Sequence, residues 1–289
     1  MRILYIVICL SASIFSEIKS QNVVTDDFIY APADSLEGLG NWYRSGLNTA
    51  FNIKVVAPGL VYTGYSGSAL GNSCQIANAG NGDIVYTNFS DPIVSGAAYL
   101  SFMVRVDALP SSVTEGYFIS LNPNTGGTNL NTALHIKRLT ATTFNLGVRK
   151  QNPPAYSNSV FEVGKTYLVV LKYSIIAGMS NDSSSLYVFE NGVPTQEPAI
   201  PTAGTTSGDD YTGQASVYLN NNYAQNGLQG CDIKVDGIRV GNSWATSILS
   251  NPISAVSENS ASKILARNFP NPFQSETTIK YQISDRGLV

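Results

Sequence analysis

Thr166-Tyr167-Leu168-Val169-Val170-Leu171-Lys172-Tyr173 runs into a polar loop and returns as Leu186-Tyr187-Val188-Phe189-Glu190-Asn191-Gly192-Val193. Two runs of β-branched and aromatic residues, the second closed by Asn-Gly, read as paired strands with a hairpin-type turn. The first run is apolar on both faces except at Lys172. Such a strand belongs in the middle of a sheet covered on both sides. Outward from this pair, from Asp26 to Val240, short apolar-polar alternations are broken by Gly, Asn, Pro and Ser clusters. The spacing predicts strands over 27–30, 60–65, 83–89, 98–106, 117–121, 133–139, 143–149, 166–176, 185–190, 216–219 and 231–240. With one short helical stretch, 243–249, the expected class is all-β, two antiparallel sheets packed as a sandwich.

Two strands carry more detail. After Tyr99, residues Leu100, Phe102, Val104 and Val106 share one face, which is core, while Ser101, Met103, Arg105 and Asp107 share the other, which meets solvent or ligand. In the last strand Ile233 and Val235 point one way and Ile238 and Val240 the other, so a β-bulge is expected at Gly237.

The chain has 289 residues, 17 Lys+Arg against 20 Asp+Glu, a net charge of −3, 43% hydrophobic and only 13% charged residues. That balance offers no field for phosphates, so a basic nucleic-acid binder is excluded. Charged residues run at about half the usual 25% of soluble domains, and Gly, Asn, Ser, Thr and Tyr fill the polar share, as in secreted β proteins. Residues 1–20 read as an export signal: Arg2, an apolar run from Ile3 to Phe15, then a polar exit. The run is shorter than the roughly 20 apolar residues that span a bilayer, so no membrane span is expected in the mature chain. Lipidation at Cys9 is discounted, because Ile8 is too large before it and the apolar run continues past it.

Removal of the signal leaves Cys74 and Cys231. An even pair in an oxidising compartment could be a disulfide or two separately buried thiols, and the sequence leaves both open. Residues 21–250 form the main domain and 251–263, rich in Ser, Asn and Ala, a linker. A new apolar pattern follows over 264–289 with one predicted strand, 277–283. About 26 residues cannot bury a core alone.

The tail Leu265-Ala-Arg-Asn268-Phe269-Pro270-Asn271-Pro272-Phe273-Gln-Ser-Glu-Thr277-Thr278-Ile279-Lys-Tyr281-Gln-Ile283 resembles the opening of the type A C-terminal sorting domain of the type IX secretion system. Its two prolines fix an extended lead-in to a small β-sandwich. Asn268, Pro270, Asn271, Pro272, Phe273, Thr277 and Thr278 carry the resemblance, which departs from the family in length and in lacking the short basic closing strand. It implies the type IX translocon as partner and the surface of a Gram-negative, Bacteroidota-type cell as destination.

The main domain is similar to concanavalin A-like and laminin-G-like jelly rolls. The paired runs quoted above, the closing Val235-Asp236-Gly237-Ile238-Arg239-Val240, Gly59-Leu-Val-Tyr62-Thr-Gly64-Tyr65 and Gly71-Asn72 carry that resemblance. It implies that the final strand pairs beside the first, here Asp26-Asp27-Phe28. It also implies a structural calcium at Asp236 with first-strand oxygens near Asp27; no other cofactor is expected.

Glucanases on such a fold need two or three carboxylates on one strand face, and no such run exists among Glu37, Glu115, Glu162, Glu190 and Glu197. Jelly-roll lyases need a Tyr/His pair, but the single His135 lacks the accompanying Tyr-Lys-Ala-Gly-x-Tyr motif. No Gly-x-Ser-x-Gly elbow is present, Ser66 sits in a glycine turn, and Gly126-Gly127 lack a helix to hold phosphate. An enzyme is therefore not expected. Binding is: Arg105, His135, Asn145 and Arg149 project opposite their strands' apolar neighbours, with Tyr117 nearby, as sugar-contacting residues would. The expectation is a glycan- or polysaccharide-binding surface protein, with a structural or adhesive role without a small ligand as the alternative and a diverged hydrolase or lyase as the third.

Overall fold

The computed structural model describes residues 22–45, 50–77, 81–110, 115–126, 131–151, 153–222, 228–249, 265–269 and 278–282. The signal stretch, the linker and most of the tail lie outside the described residues. The chain divides into two compact units, Met1–Asn251 and Pro252–Val289.

In the first unit the strands are, in chain order, β1 (Asn22–Asp26), β2 (Trp42–Arg44), β3 (Lys54–Val56), β4 (Ser73–Ala77), β5 (Asn81–Ile93), β6 (Gly96–Ala108), β7 (Glu115–Asn122), β8 (Ala133–Arg138), β9 (Thr143–Arg149), β10 (Ala155–Tyr156), β11 (Phe161–Glu162), β12 (Thr166–Ile175), β13 (Ser183–Phe189), β14 (Ala203–Thr205), β15 (Gln214–Asn222) and β16 (Asp232–Gly241). They form two antiparallel sheets. The first has the order β14-β13-β12-β6-β16-β4-β3, with β1 also on β16; the second has the order β10-β9-β8-β7-β15-β5-β2, with β11 also on β9. Sequence neighbours mostly pair across short turns while β15 and β16 return between distant strands, which is the jelly-roll arrangement.

Alternate residues of both sheets meet in one core. Leu100, Phe102, Val104 and Val106 of β6, Val169 and Leu171 of β12, Phe118 and Leu121 of β7, and Phe144, Leu146 and Val148 of β9 are all buried there. Fully burying a side chain of this kind contributes about 1.5–3 kcal/mol, so the inner faces dominate stability. The bulge falls where the phase change requires it. Register slips between Asp236 and Arg239, Gly237 takes φ +61°, and Ile233, Val235, Ile238 and Val240 all reach the core.

The outer face of the first sheet is covered as well. Tyr99, Met103, Leu168, Val170 and Tyr187 pack against Leu60, Tyr62, Tyr65, Trp244 and Ile248 in a second cluster. This explains why β12 is apolar on both sides, and it corrects the expectation that the Ser101-Met103 face of β6 meets solvent or ligand. Residues 60–65 are loop with a turn at 63–64 rather than a strand. Their aromatic alternation reports a loop laid on a sheet, anchored by Tyr65 donating to Gly237 O at 2.6 Å and Tyr62 donating to Gly192 O at 2.8 Å. The 243–249 stretch is a short π-helical turn, Ala245–Leu249.

Other expectations shift in detail. The first strand pairs with the last, Thr25 opposite Arg239 and Asp26 opposite Ile238, but it ends at Asp26 because Phe28 takes φ +47°. Gly192 turns with φ +71°, yet the next strand starts only at Ala203, so Asn191-Gly192 opens a long loop instead of a tight hairpin. Cys74 and Cys231 are both free and buried. Cys74 lies opposite Val235, four positions along β16 from Cys231, or about 13 Å of strand, beyond disulfide reach. The disulfide alternative is thereby overturned in favour of two separate thiols.

In the second unit β17 (Leu265–Phe269) pairs antiparallel with β18 (Thr278–Gln282), Asn268 opposite Ile279 and Phe269 opposite Thr278. The predicted strand is present and has a partner that alternation did not reveal. Pro270, Asn271, Pro272, Phe273 and Thr277 lie outside the described residues.

Candidate functional site on the outer face of the second sheet

The outward residues of the second sheet are polar and aromatic, and the candidate site is built on them; Ala133, Ser120 and Tyr218 at its centre are no more than 2% exposed, while Tyr43, Tyr86 and Arg149 at its ends are more open. Phe144, Leu146 and Val148 point inward, which turns Asn145, Gly147 and Arg149 outward; the same alternation turns Ala133, His135 and Lys137 outward on β8. Register then lines residues up across the strands. Arg149 faces Ala133, Ala133 faces Ser120, Ser120 faces Tyr218, Tyr218 faces Tyr86 and Tyr86 faces Tyr43. Six strands at the usual spacing make this row about 24 Å long.

One end of the row is aromatic. The Tyr86 and Tyr218 rings stack with centroids 5.3 Å apart, and Tyr43 lies 5.7 Å from Tyr86. Exposure rises along the series, from 2% at Tyr218 to 50% at Tyr43. The centre is small and buried: Ala133, and Ser120, whose hydroxyl has no partner among the described residues. At the other end the Arg149 guanidinium lies 4.7 Å above the Tyr117 ring.

A second row runs beside the first. Tyr156 faces Gly147, Gly147 faces His135, and His135 faces Tyr117. Gly147 is required here, since a Cβ would meet Ala155 O and the Tyr156 ring at 2.7 Å. His135 and Tyr117 rings lie 5.6 Å apart. His135 is 5% exposed, and neither ring nitrogen has a partner among the described residues. Burial, aided by the Arg149 charge, pushes its pKa down to about 3, so the ring is neutral at physiological pH. Burial also raises Tyr117, against the pull of Arg149 and Asn220. Asn145 donates through Nδ2 to the carbonyls of Ser157 and Ser159, both at 2.8 Å, while its Oδ1 has no partner among the described residues.

Four of the five sequence-derived ligand residues therefore share one face: Tyr117, His135, Asn145 and Arg149. Arg105 does not. It lies on β6 of the other sheet, bonded to Asp107 at 2.7 and 3.1 Å. Alternation gave its outward direction correctly but could not say which sheet the strand joins. Tyr43, Tyr86, Tyr218 and Ser120 were missed. Their signal was present, since Tyr86 and Tyr218 alternate with core residues, but only register shows that they align.

The calcium expectation meets a different cation. Arg239, fully buried, donates through Nη2 to Asp27 Oδ1 at 2.6 Å. Asp236 Oδ2 accepts Leu60 N and its Oδ1 accepts Gly237 N, both at 2.6 Å. Calcium takes six to eight oxygen ligands. Here both Asp236 oxygens are taken by backbone amides and Asp27 by a guanidinium, so this donor set does not fit the ion. Burial raises Asp236 to about 8, with Arg239 opposing. No group of three metal-ligating side chains occurs among the described residues, and no helix there is long and apolar enough to cross a membrane.

No protein family profile matches the chain, and no curated protein matches its sequence. Among solved structures, the T. cruzi calreticulin globular domain is similar at 11% identity and a TM-score of 0.45, covering 77% of this chain and 88% of that one. The Emp47p carbohydrate recognition domain aligns at 7% identity and a TM-score of 0.39, covering 79% and 99%. The alginate lyase Aly36B aligns at 15% identity and a TM-score of 0.39, covering 76% and 96%. Each is a loose likeness in the arrangement of strands.

Proposed function

We propose that the protein is a non-catalytic carbohydrate-binding protein of the cell surface that engages glycan through the outer face of its second sheet. The observation that carries this reading is the register row from Arg149 to Tyr43. Tyrosine rings offer flat apolar surface to the CH faces of sugars, while Ser120, His135 and Asn145 hold buried polar atoms that a hydroxyl, both donor and acceptor, satisfies. Export by the type IX route and a location on a Gram-negative surface are part of the same proposal and rest on the tail motif.

The electrostatics favour binding over catalysis. General acid-base work at neutral pH needs a group with a pKa near 7. At this face the imidazole is depressed to about 3 and the neighbouring phenol is raised, so neither is poised to move a proton. The test is a screen of the full chain against a panel of neutral and acidic polysaccharides, with the same wells assayed for new reducing ends and unsaturated products. Saturable binding without products is expected. Products would overturn the non-catalytic reading, and the absence of any binding would shift the protein to a structural or adhesive role.

A further inference from the structure

We infer that Asn191 is a site of spontaneous covalent modification, at which the backbone nitrogen of Gly192 displaces the side-chain amide as ammonia, and that the product loosens the 57–71 loop tied to it. Asparagine followed by glycine closes such a ring most readily, because no Cβ on the second residue shields its backbone nitrogen. Three Asn-Gly pairs occur in the sequence: Asn81-Gly82, Asn191-Gly192 and Asn226-Gly227. The third lies outside the described residues, and the fold treats the other two differently. Asn81 and Gly82 open β5, where Asn81 faces Asn222 of β15. Gly82 is buried against the Asn221 and Phe51 carbonyls, so the extended backbone there has no room to fold into a ring.

Asn191-Gly192 is the opposite case. Both residues are exposed, in a bend that no backbone hydrogen bond closes. Neither the Asn191 amide nor Gly192 N has a hydrogen-bond partner among the described residues. A Cβ built on Gly192 meets nothing within 4 Å, and Asn191 borders a cleft of about 410 Å³ that Tyr62, Thr63, Lys165 and Glu190 also line. Nucleophile, electrophilic carbon and the space to join them are therefore all free. In the reaction Gly192 N bonds to Asn191 Cγ, the bond from Cγ to the amide nitrogen breaks, and that nitrogen leaves as ammonia with the proton Gly192 N gives up. Water then opens the five-membered imide at either carbonyl. The chain emerges with aspartate or, where the main chain now runs through Cβ and Cγ, with isoaspartate; nothing is oxidised or reduced.

The consequence passes through one bond. Tyr62 donates to Gly192 O at 2.8 Å and so holds the 57–71 loop on the outer face of the first sheet. Isoaspartate lengthens the main chain by one carbon immediately before Gly192 and adds a carboxylate beside Glu190. Trp244 Nε1 donates to Pro194 O at 3.0 Å and fixes the chain just beyond, so the displacement falls on the Gly192 carbonyl.

The experiment incubates the full chain, folded and in urea, at mildly alkaline pH and follows deamidation by peptide mapping with mass spectrometry, isoaspartate being scored with an isoaspartyl methyltransferase. In the folded chain Asn191 is expected to convert at least tenfold faster than Asn81, whereas in urea the two convert at similar rates. Equal protection of the two in the folded chain, or faster conversion of Asn81, overturns the assignment. Amide exchange of the aged protein is then compared with that of Asn191→Gln aged beside it, whose longer side chain closes a ring far more slowly. Faster exchange in the aged wild type at Tyr65, Ser68 and Ala69, whose amides bond within the loop, is the expected result. Identical exchange in the two proteins, with Asn191 converted in the wild type, overturns the link to the loop.

Discussion

Tyr117 and His135 are direct register partners on adjacent strands, their rings tilted by 39° with centroids 5.6 Å apart. Burial at this position, aided by the Arg149 charge, holds the imidazole neutral, and that has a measurable cost at acid pH. A histidine whose folded pKa is lowered binds its proton only in the unfolded chain, so its neutral burial favours folding above the ordinary pKa of 6.5 and that contribution is lost as pH falls toward about 3. His135→Gln is therefore expected to gain on the wild type by up to about 1.4 kcal/mol per pH unit below 6.5 in urea unfolding measured at pH 7, 5 and 4. Parallel pH profiles for the two proteins would show that His135 is not the buried neutral group described here.

The Asp27–Arg239 pair is the most deeply buried ion pair among the described residues, the Arg239 side chain being wholly inaccessible. Removing one partner strands a buried charge, and Arg239→Met or Asp27→Leu alone should cost about 3–5 kcal/mol. The double variant should recover much of that loss. Additive costs in chemical denaturation would mean that the two groups do not compensate each other. Calcium and chelator should leave the wild-type Tm unchanged, since a guanidinium already serves these oxygens.

Asp236 ties the 57–71 loop to the bulge by accepting Leu60 N. Its raised pKa has the opposite sign to that of His135. The folded state keeps a proton that the unfolded carboxyl releases, so this contribution is fully present below pH 3.8 and is lost as pH rises toward about 8. Asp236→Ala removes the acceptor of two buried amides, each worth about 1–3 kcal/mol. Amide exchange should accelerate at Leu60 and Gly237 first; uniform acceleration across the sandwich would argue against a local tether.

Gly237 sits at φ +61° with a would-be Cβ 3.1 Å from both Met103 Cε and the Tyr65 ring. Gly237→Ala should lower stability by more than 1 kcal/mol, through left-handed strain and crowding together. An unchanged denaturation midpoint would contradict the bulge geometry.

These sites also show what the sequence made legible. The phase change around Gly237 announced the bulge, and the doubly apolar run of β12 announced a covered sheet, because both are one-strand patterns. Tyr62 and Tyr65 misled for the same reason: period two cannot distinguish a strand from a loop packed on a sheet. Cys74 and Cys231 could not be judged unpaired until register placed Cys74 opposite Val235, four positions from Cys231. Arg105 and Arg149 look alike along the chain, and only strand order assigns them to different sheets. Tyr43, Tyr86 and Tyr218 come from β2, β5 and β15, more than 40 residues apart in each step, so their alignment is a property of the fold.

Sugar binding at the tyrosine end of the register row is the core of the proposed function. Its most direct test is the binding isotherm of Tyr86→Ala beside wild type on the polysaccharide that the wild type binds best. Loss of the middle ring, with unfolding midpoint retained, should weaken binding about tenfold, or ~1.4 kcal/mol. Unchanged affinity in a folded Tyr86→Ala protein would rule out sugar binding at these rings.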